Sequence, residues 1–240
     1  MHSSSRLGDG YAGEPARRML RRVMVPDALR RILEREFSYF RRLDTRQREK
    51  FVVDVDAFSA KEFVGLDGFV VDDRVRVHVA ATAALLVNGL HMSRFDHVQR
   101  IEMREARSLD EHGNIAEGHY SYATHASGPV GILTLAWHGM LDGHARADGA
   151  HVGIHELAHA LDHGLGEQLL AQHERCDAWR QSLAGMPLAG GLVVADVEGP
   201  ELFAVASELF FERPMTLMRI DPELFFELVE IYKLDTRTFA

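Results

Sequence analysis

Apolar residues at helical spacing predict several helices along the chain. Residues 26–40 alternate apolar side chains with arginine and glutamate in a helical period, and a second helix follows through Val53. Residues 75–90 are almost continuously apolar and predict a buried helix that ends at Asn88 and Gly89. A strongly apolar helix is predicted over residues 200–212.

Two segments between these helices have the pattern of strands. Residues 98–106 alternate polar and apolar side chains, and residues 128–137 form an apolar run after a glycine and a proline. The polar segment at 108–127 separates them. An order of helices, strands and further helices is typical of an α+β fold.

The length of the chain bounds its domain organisation. At about 150 residues per domain, 240 residues allow one to two domains. Residues 1–22 contain arginines but no apolar segment, which predicts a flexible leader. We expect residues 23–240 to form a single domain with an N-terminal helical part.

Charge and cysteine content narrow the classes of partner. The net charge of −9 would repel a phosphate backbone, so nucleic acid is not an expected partner. The longest apolar run, residues 75–90, contains Arg76 and His78 and is too short to cross a bilayer, so no membrane partner is expected. The lone Cys176 excludes an intrachain disulfide, predicts a cytoplasmic protein, and leaves a metal site to histidine and carboxylate ligands.

A histidine recurs every fourth position in the segment HVGIHELAHALDH, at His151, His155, His159 and His163. On one helix all four would share a face. Only His155 and His159 enclose a glutamate, Glu156, in the H-E-x-x-H pattern, in which two imidazoles bind zinc and the glutamate acts as a base. The outer histidines are predicted to be neighbours of the site, in the cleft wall.

Zinc bound by two histidines needs a third protein ligand. Asp162 and Leu165 stand where an extended signature would require glycine and histidine, so the ligand must come from elsewhere. Glu201 and Glu208 share one face of the apolar helix and are the candidates, one as ligand and one as the group that orients a ligand. The residues alone do not decide between them, and Glu201 also fits a first-turn carboxylate that the helix dipole favours.

Five segments in order resemble the Mlc titration factor A family of bacterial zinc peptidases, over most of residues 25–220. They are VPDALRRIL, FSAKEFVGLDGFVVDDRVRVHVAATAALLVNGL, GPVGILTLAW, HVGIHELAHALD and PELFAVASELFFERP. The resemblance implies a zincin-like fold similar to the anthrax lethal factor protease domain, with a small sheet over the H-E-x-x-H helix. It also implies one zinc ion, Glu201 as third ligand and Glu208 as the orienting group.

One position departs from that family. The family commonly has a tyrosine seven residues before the ligand glutamate, suited to stabilising the oxyanion of the transition state, and here that position is Val194. Tyr120 and Tyr122 are the candidate substitutes. Loss of one oxyanion donor typically costs about a hundredfold in rate.

The leading hypothesis is therefore a zinc metallopeptidase, with aminopeptidase activity as the subclass that the resemblance adds. His155, His159 and Glu201 would hold the metal, and Glu156 would take the proton of the attacking water. Asp162 is either an orienting group for a ligand histidine or a solvated helix-end acid. The segment at 128–137 is either the sheet edge that pairs with an extended peptide or an internal strand.

The alternative hypothesis is a binding protein without rapid turnover. The resemblance includes the protein that sequesters the transcriptional repressor Mlc, and Val194 favours this reading. The intact Glu156 opposes it, because a binder has no need for a base beside the metal.

Overall fold

The computed structural model describes residues 26–106, 108–109, 115–116, 118–125, 128–146, 149–165, 178–179, 181, 183 and 199–239. The leader predicted over residues 1–22 lies outside the described residues, as do Cys176 and Val194.

Four helices form the N-terminal part: α1 (Pro26–Glu36), α2 (Ser38–Arg42), α3 (Thr45–Ser59) and α4 (Asp73–Leu86). A capping box of Asp44 and Gln47 begins α3. The predicted single helix over residues 26–40 is wrong, because Phe37 is extended (φ −119°, ψ 104°) and separates α1 from α2. In that conformation the Phe37 ring is buried against the rings of His78 and His144, so tertiary packing overrides the helical pattern.

The main sheet has four strands in the order β1-β2-β6-β5, from β1 (Glu62–Gly65), β2 (Val98–Arg104), β5 (Gly118–His125) and β6 (Gly128–Ala136). β1, β2 and β6 are parallel, while β5 runs antiparallel to β6. A separate pair joins β3 (Ser108–Leu109) to β4 (Ile115–Ala116). The strands predicted at 98–106 and 128–137 are present, but β6 is internal. The strand beside β6 at the edge of the sheet is β5, which lies within the segment at 108–127 that was predicted only as polar.

The C-terminal half of the described chain is helical: α5 (Trp137–Arg146), α6 (Val152–Leu165), α7 (Gly199–Glu212), α8 (Pro214–Ile220) and α9 (Pro222–Tyr232), followed by a short 3-10 helix at Thr236–Phe239. Another 3-10 helix, Met92–Phe95, lies between α4 and β2. α6 packs against β5 and β6 on one side and against α4, α5 and α7 on others. Helices and a small mixed sheet confirm the predicted α+β class. No helix within the described ranges has the length and apolar character needed to span a bilayer.

Buried polar groups join the elements of the core. The Tyr232 hydroxyl donates to Ser207 Oγ at 2.6 Å, and Ser207 donates to the Phe203 carbonyl at 2.6 Å, so α9 is tied to α7 without an unpaired hydroxyl.

Glu36, at the end of α1, forms a second polar junction. Its carboxylate accepts from Arg74 Nε at 2.9 Å and from His78 Nε2 at 2.7 Å. Burial raises the pKa of Glu36, but the hydrogen bonds of Arg35, His78 and Arg74 outweigh it and lower the pKa to about 2. The junction therefore stabilises the fold only while Glu36 is ionised.

Candidate metal centre

The helix of the histidine segment begins one residue later than the fourfold spacing suggests. His151 precedes α6, and its Nδ1 accepts hydrogen bonds from the backbone N–H groups of Gly153 (3.1 Å) and Ile154 (3.3 Å). It is therefore an N-cap rather than a member of the helical face. The prediction that His151 lies in the cleft wall is wrong, because it lines a different cavity, whereas His163 does line the cleft.

Three side chains converge where α6 meets α7. His155 Nε2 lies 3.1 Å from Glu201 Oε2, and His159 Nε2 lies 3.1 Å from Glu201 Oε1. The two Nε2 atoms are 3.3 Å apart, and the potential ligand atoms of the three residues all lie within 4.8 Å of one another. Two imidazole nitrogens and one carboxylate are a donor set that suits zinc and related divalent metals.

The second glutamate of α7 contacts the other face of the same histidine. Glu208 Oε2 lies 3.2 Å from His155 Nδ1, and Glu208 Oε1 accepts from the His151 backbone N–H at 2.7 Å. The Glu208 side chain is 10% exposed, whereas the Glu201 side chain is 50% exposed. The sequence alone did not decide which of the two glutamates is the ligand and which orients a ligand. In the structure Glu201 faces the two Nε2 atoms, whereas Glu208 contacts Nδ1 of His155 and holds its ring.

The histidines and glutamates of the cluster change one another's pKa values. Burial lowers the pKa of His155, but Glu201 and Glu208 outweigh it and raise the pKa to about 10. Hydrogen bonds with His155 and His159 hold the pKa of Glu201 well below its usual range. A metal entering this site must displace protons, so its affinity depends on pH.

Glu156 lines the same cleft, which has a volume of about 430 Å³. Glu156 is only 8% exposed. Burial raises the pKa of its carboxyl group, while His155 and His159 oppose the rise. Gly118 of β5 lies against it, and a Cβ there would stand 2.6 Å from Glu156 Cγ. The edge strand therefore approaches the helix closely enough to hold Glu156 beside the three converging side chains.

Residues 13–185 match the family model of the glucose-regulated metallo-peptidase M90. The chain belongs to the M90 metallopeptidase family. This is the family of Mlc titration factor A, so the resemblance is confirmed. The match contains His155, Glu156 and His159 and ends before Glu201. An uncharacterized protein of Synechocystis sp. is 28% identical over 236 residues, covering 88% of this chain and 85% of that protein.

Membership of the M90 family implies a metal, and the His155, His159 and Glu201 cluster is the group among the described residues that fits one. Asp162, predicted as a possible orienting group, interacts electrostatically with the buried Tyr232. Glu208 makes an orienting contact to the cluster histidine His155.

Two aromatic side chains of β5 in this M90 protein pack beside His163, a residue of the cleft wall. Tyr122 stacks on His163, with ring centroids 4.4 Å apart and planes at 10°. Tyr120 also lines the cleft, but its hydroxyl packs beside Gly131 of β6 and near His97. His119, which the sequence pattern did not single out, lines the cleft and interacts electrostatically with Glu156. His119 was hard to predict from the sequence, because a Gly-His pair in a polar segment indicates neither a strand nor a functional site.

Proposed function

We propose that the protein is a zinc-dependent peptidase in which His155, His159 and Glu201 hold one zinc ion. The observation that supports this most is the convergence of both Nε2 atoms on the Glu201 carboxylate, beside a buried glutamate in the same cleft. Zinc, when bound, lowers the pKa of a coordinated water and polarises the scissile carbonyl.

The chain's own groups supply proton transfer and orientation. Glu156 accepts the proton of the attacking water and returns it to the leaving amine. Glu208 holds the Nδ1 proton of His155, so that the lone pair of Nε2 points toward Glu201 and His159. Burial of Glu156 and the close approach of Gly118 keep bulk water away from that carboxylate.

We place the substrate along β5. Among the described strands this one is an edge of the sheet, so its outer backbone groups are the ones that an extended peptide would pair with, and its first residue, Gly118, lies beside Glu156. The arrangement of β5 over α6 is the feature that supports a zincin-like fold. Aminopeptidase activity is the subclass that the family resemblance adds.

A second candidate is a regulator-binding protein that sequesters a transcriptional repressor of the Mlc type. The observation that favours it is Val194, at the position where the family commonly has a tyrosine. In that case the metal would maintain the binding surface, and Glu156 would be dispensable.

One experiment separates the two functions. We would assay purified protein on amino-acid anilides and a mixed peptide library, after chelation, after zinc restoration, and as the Glu156→Gln variant. The exposed Glu105→Gln provides a matched control away from the cleft. Peptidase function predicts zinc-restorable cleavage that Glu156→Gln lacks and Glu105→Gln retains. A zinc-loaded, folded wild type that cleaves nothing, together with normal repressor regulation by Glu156→Gln in cells, would support the binding role instead.

A further inference from the structure

A buried histidine, His151, and a half-buried one, His144, lie behind the active-site helix, outside the cleft. His144 of α5 and the N-cap His151 have ring centroids 4.4 Å apart, and His151 Nε2 lies 3.2 Å from His144 Nδ1. Both line a separate cavity of about 290 Å³ between α2, α4, α5 and α7. Neither takes part in the proposed chemistry directly.

The hydrogen bonds of His151 determine where the protons lie on both rings. His151 Nδ1 accepts from the N–H groups of Gly153 and Ile154, so it carries no proton. The proton of the neutral ring is therefore on Nε2, which donates to His144 Nδ1. His144 in turn carries its own proton on Nε2. The pair thus has one consistent set of tautomers.

Two glycines make room for the His151 ring. A Cβ on Gly143 of α5 would lie 2.7 Å from His151 Cγ, and a Cβ on Gly153 of α6 would lie 3.1 Å from His151 Cε1. A side chain at Gly143 would collide with the imidazole, and one at Gly153 would crowd it. The ring is therefore enclosed by both helices and has little freedom to turn.

The backbone of His151 is directly connected to the candidate metal centre. Its N–H donates to Glu208 Oε1 at 2.7 Å, and the other oxygen of Glu208 lies 3.2 Å from His155 Nδ1. A displacement of residue 151 would turn the Glu208 carboxylate and with it the ring of His155. The path runs from His144 through His151 and Glu208 to His155.

We propose that His144 and His151 are positioning residues of the metal centre. They fix the start of α6 and the orientation of Glu208, and thereby aim His155 Nε2 at the metal position. The inference rests on the proposed function, because it takes His155 to be a ligand.

The test compares the zinc dissociation constants of wild type, His144→Phe and His151→Leu, measured by competition with a chromophoric chelator. Loss of a hydrogen bond between a neighbouring group and a metal-ligating side chain typically weakens metal binding 10- to 100-fold. We expect about tenfold for His144→Phe, which keeps the cap, and a larger loss for His151→Leu. His91→Leu is the matched control, because His91 Nδ1 also caps a helix, the 3-10 turn at Met92–Phe95, but does not line the cleft.

Two further readouts distinguish positioning from a merely structural role. The visible spectrum of the cobalt-substituted protein reports ligand geometry and should change in His144→Phe but not in His91→Leu. Nitrogen-15 correlation spectra of the metal-free wild type should show both imidazoles protonated on Nε2. This second measurement needs no variant to fold.

The outcomes separate the inference from the function on which it rests. Unchanged zinc affinity and cobalt spectrum in folded His144→Phe, or a proton on His151 Nδ1, would overturn the positioning role while leaving the peptidase intact. Failure of the wild type to bind zinc at all would overturn the proposed function and the positioning role together.

Discussion

Replacing Glu208 with glutamine should weaken metal binding by a route that the structure specifies. A glutamine oxygen can still accept from the His151 N–H, the 2.7 Å contact, but its amide group then faces His155 Nδ1. Because an amide NH₂ cannot accept a hydrogen bond, it favours the tautomer of His155 with the proton on Nε2. That tautomer has no lone pair for a metal at the position that Glu201 and His159 face.

The size of the effect follows from the contact that is lost. A hydrogen bond to a charged group contributes about 1.5–3 kcal/mol. The distance of 3.2 Å is long for such a bond, and the second oxygen keeps its partner, so we expect about 2 kcal/mol. This corresponds to a roughly 30-fold higher zinc dissociation constant. The measurement is a competition titration with a chelator at fixed pH and ionic strength.

Glu212→Gln provides the matched control. Glu212 lies one turn further along α7 and accepts from the Gly149 backbone N–H at 2.7 Å, but it does not contact His155. The control removes the same charge from the same helix, so it isolates the contact to the ligand. A zinc dissociation constant for Glu208→Gln within twofold of wild type would refute the tautomer argument, as would an equal loss in Glu212→Gln.

Three further predictions concern the edge strand, acid stability and the core. Gly118→Ala places a Cβ 2.6 Å from Glu156 Cγ, so kcat/KM on a peptide substrate should fall at least about tenfold while zinc affinity changes less than about twofold. Glu36, with a pKa of about 2 against an ordinary 4.5, stabilises the fold above pH 4.5, and this contribution is lost as the pH falls toward 2. The shift in pKa corresponds to about 3 kcal/mol of folding free energy. The side chains of its partners Arg74 and Arg35 are 49% and 71% exposed, so solvent screening reduces the expected contribution to about 1–2 kcal/mol. Urea unfolding at pH 6 and pH 3 should therefore show a smaller pH dependence in Glu36→Gln than in wild type. Tyr232→Phe removes the 2.6 Å donor to Ser207 and should lower the free energy of unfolding by about 1 kcal/mol.

Each of these predictions has an opposing result. Unchanged turnover in Gly118→Ala would mean that β5 does not constrain Glu156. Equal pH dependence of Glu36→Gln and wild type would mean that other carboxylates carry the acid sensitivity. A Tyr232→Phe variant as stable as wild type would mean that the hydroxyl contributes nothing net.

Helical periodicity predicted α3, α4 and α7, because long apolar patterns reflect burial on one face, but α5, α8 and α9 were not predicted. It failed at Phe37, where the spacing fits a helix but the ring packs on His78 and His144 from an extended backbone. It also missed β5. That strand is an edge strand with many polar residues, and its alternation of His119 and Ser121 with Tyr120 and Tyr122 is too short to identify a half-buried strand.

The local part of the site was predictable, whereas its long-range contacts were not. His155 and His159 stand one turn apart, and Glu201 and Glu208 share a face of α7, so spacing alone grouped each pair correctly. The assignment of Glu208 to His155 Nδ1 depends on how α6 and α7 pack. The same holds for His151, because a fourfold spacing does not tell whether the first histidine stands on the helix or caps it.

A metal held between α6 and α7 would also act as a reversible cross-link. His155 and Glu201 are 46 positions apart, and closing a loop of that length in an unfolded chain costs about 3 kcal/mol in configurational entropy. Removing the metal would return this freedom to the chain and raise the population of opened states that proteases cleave. Loss of the metal would then end the proposed activity and hasten degradation at once, so the supply of that metal would set both the activity and the lifetime of the protein.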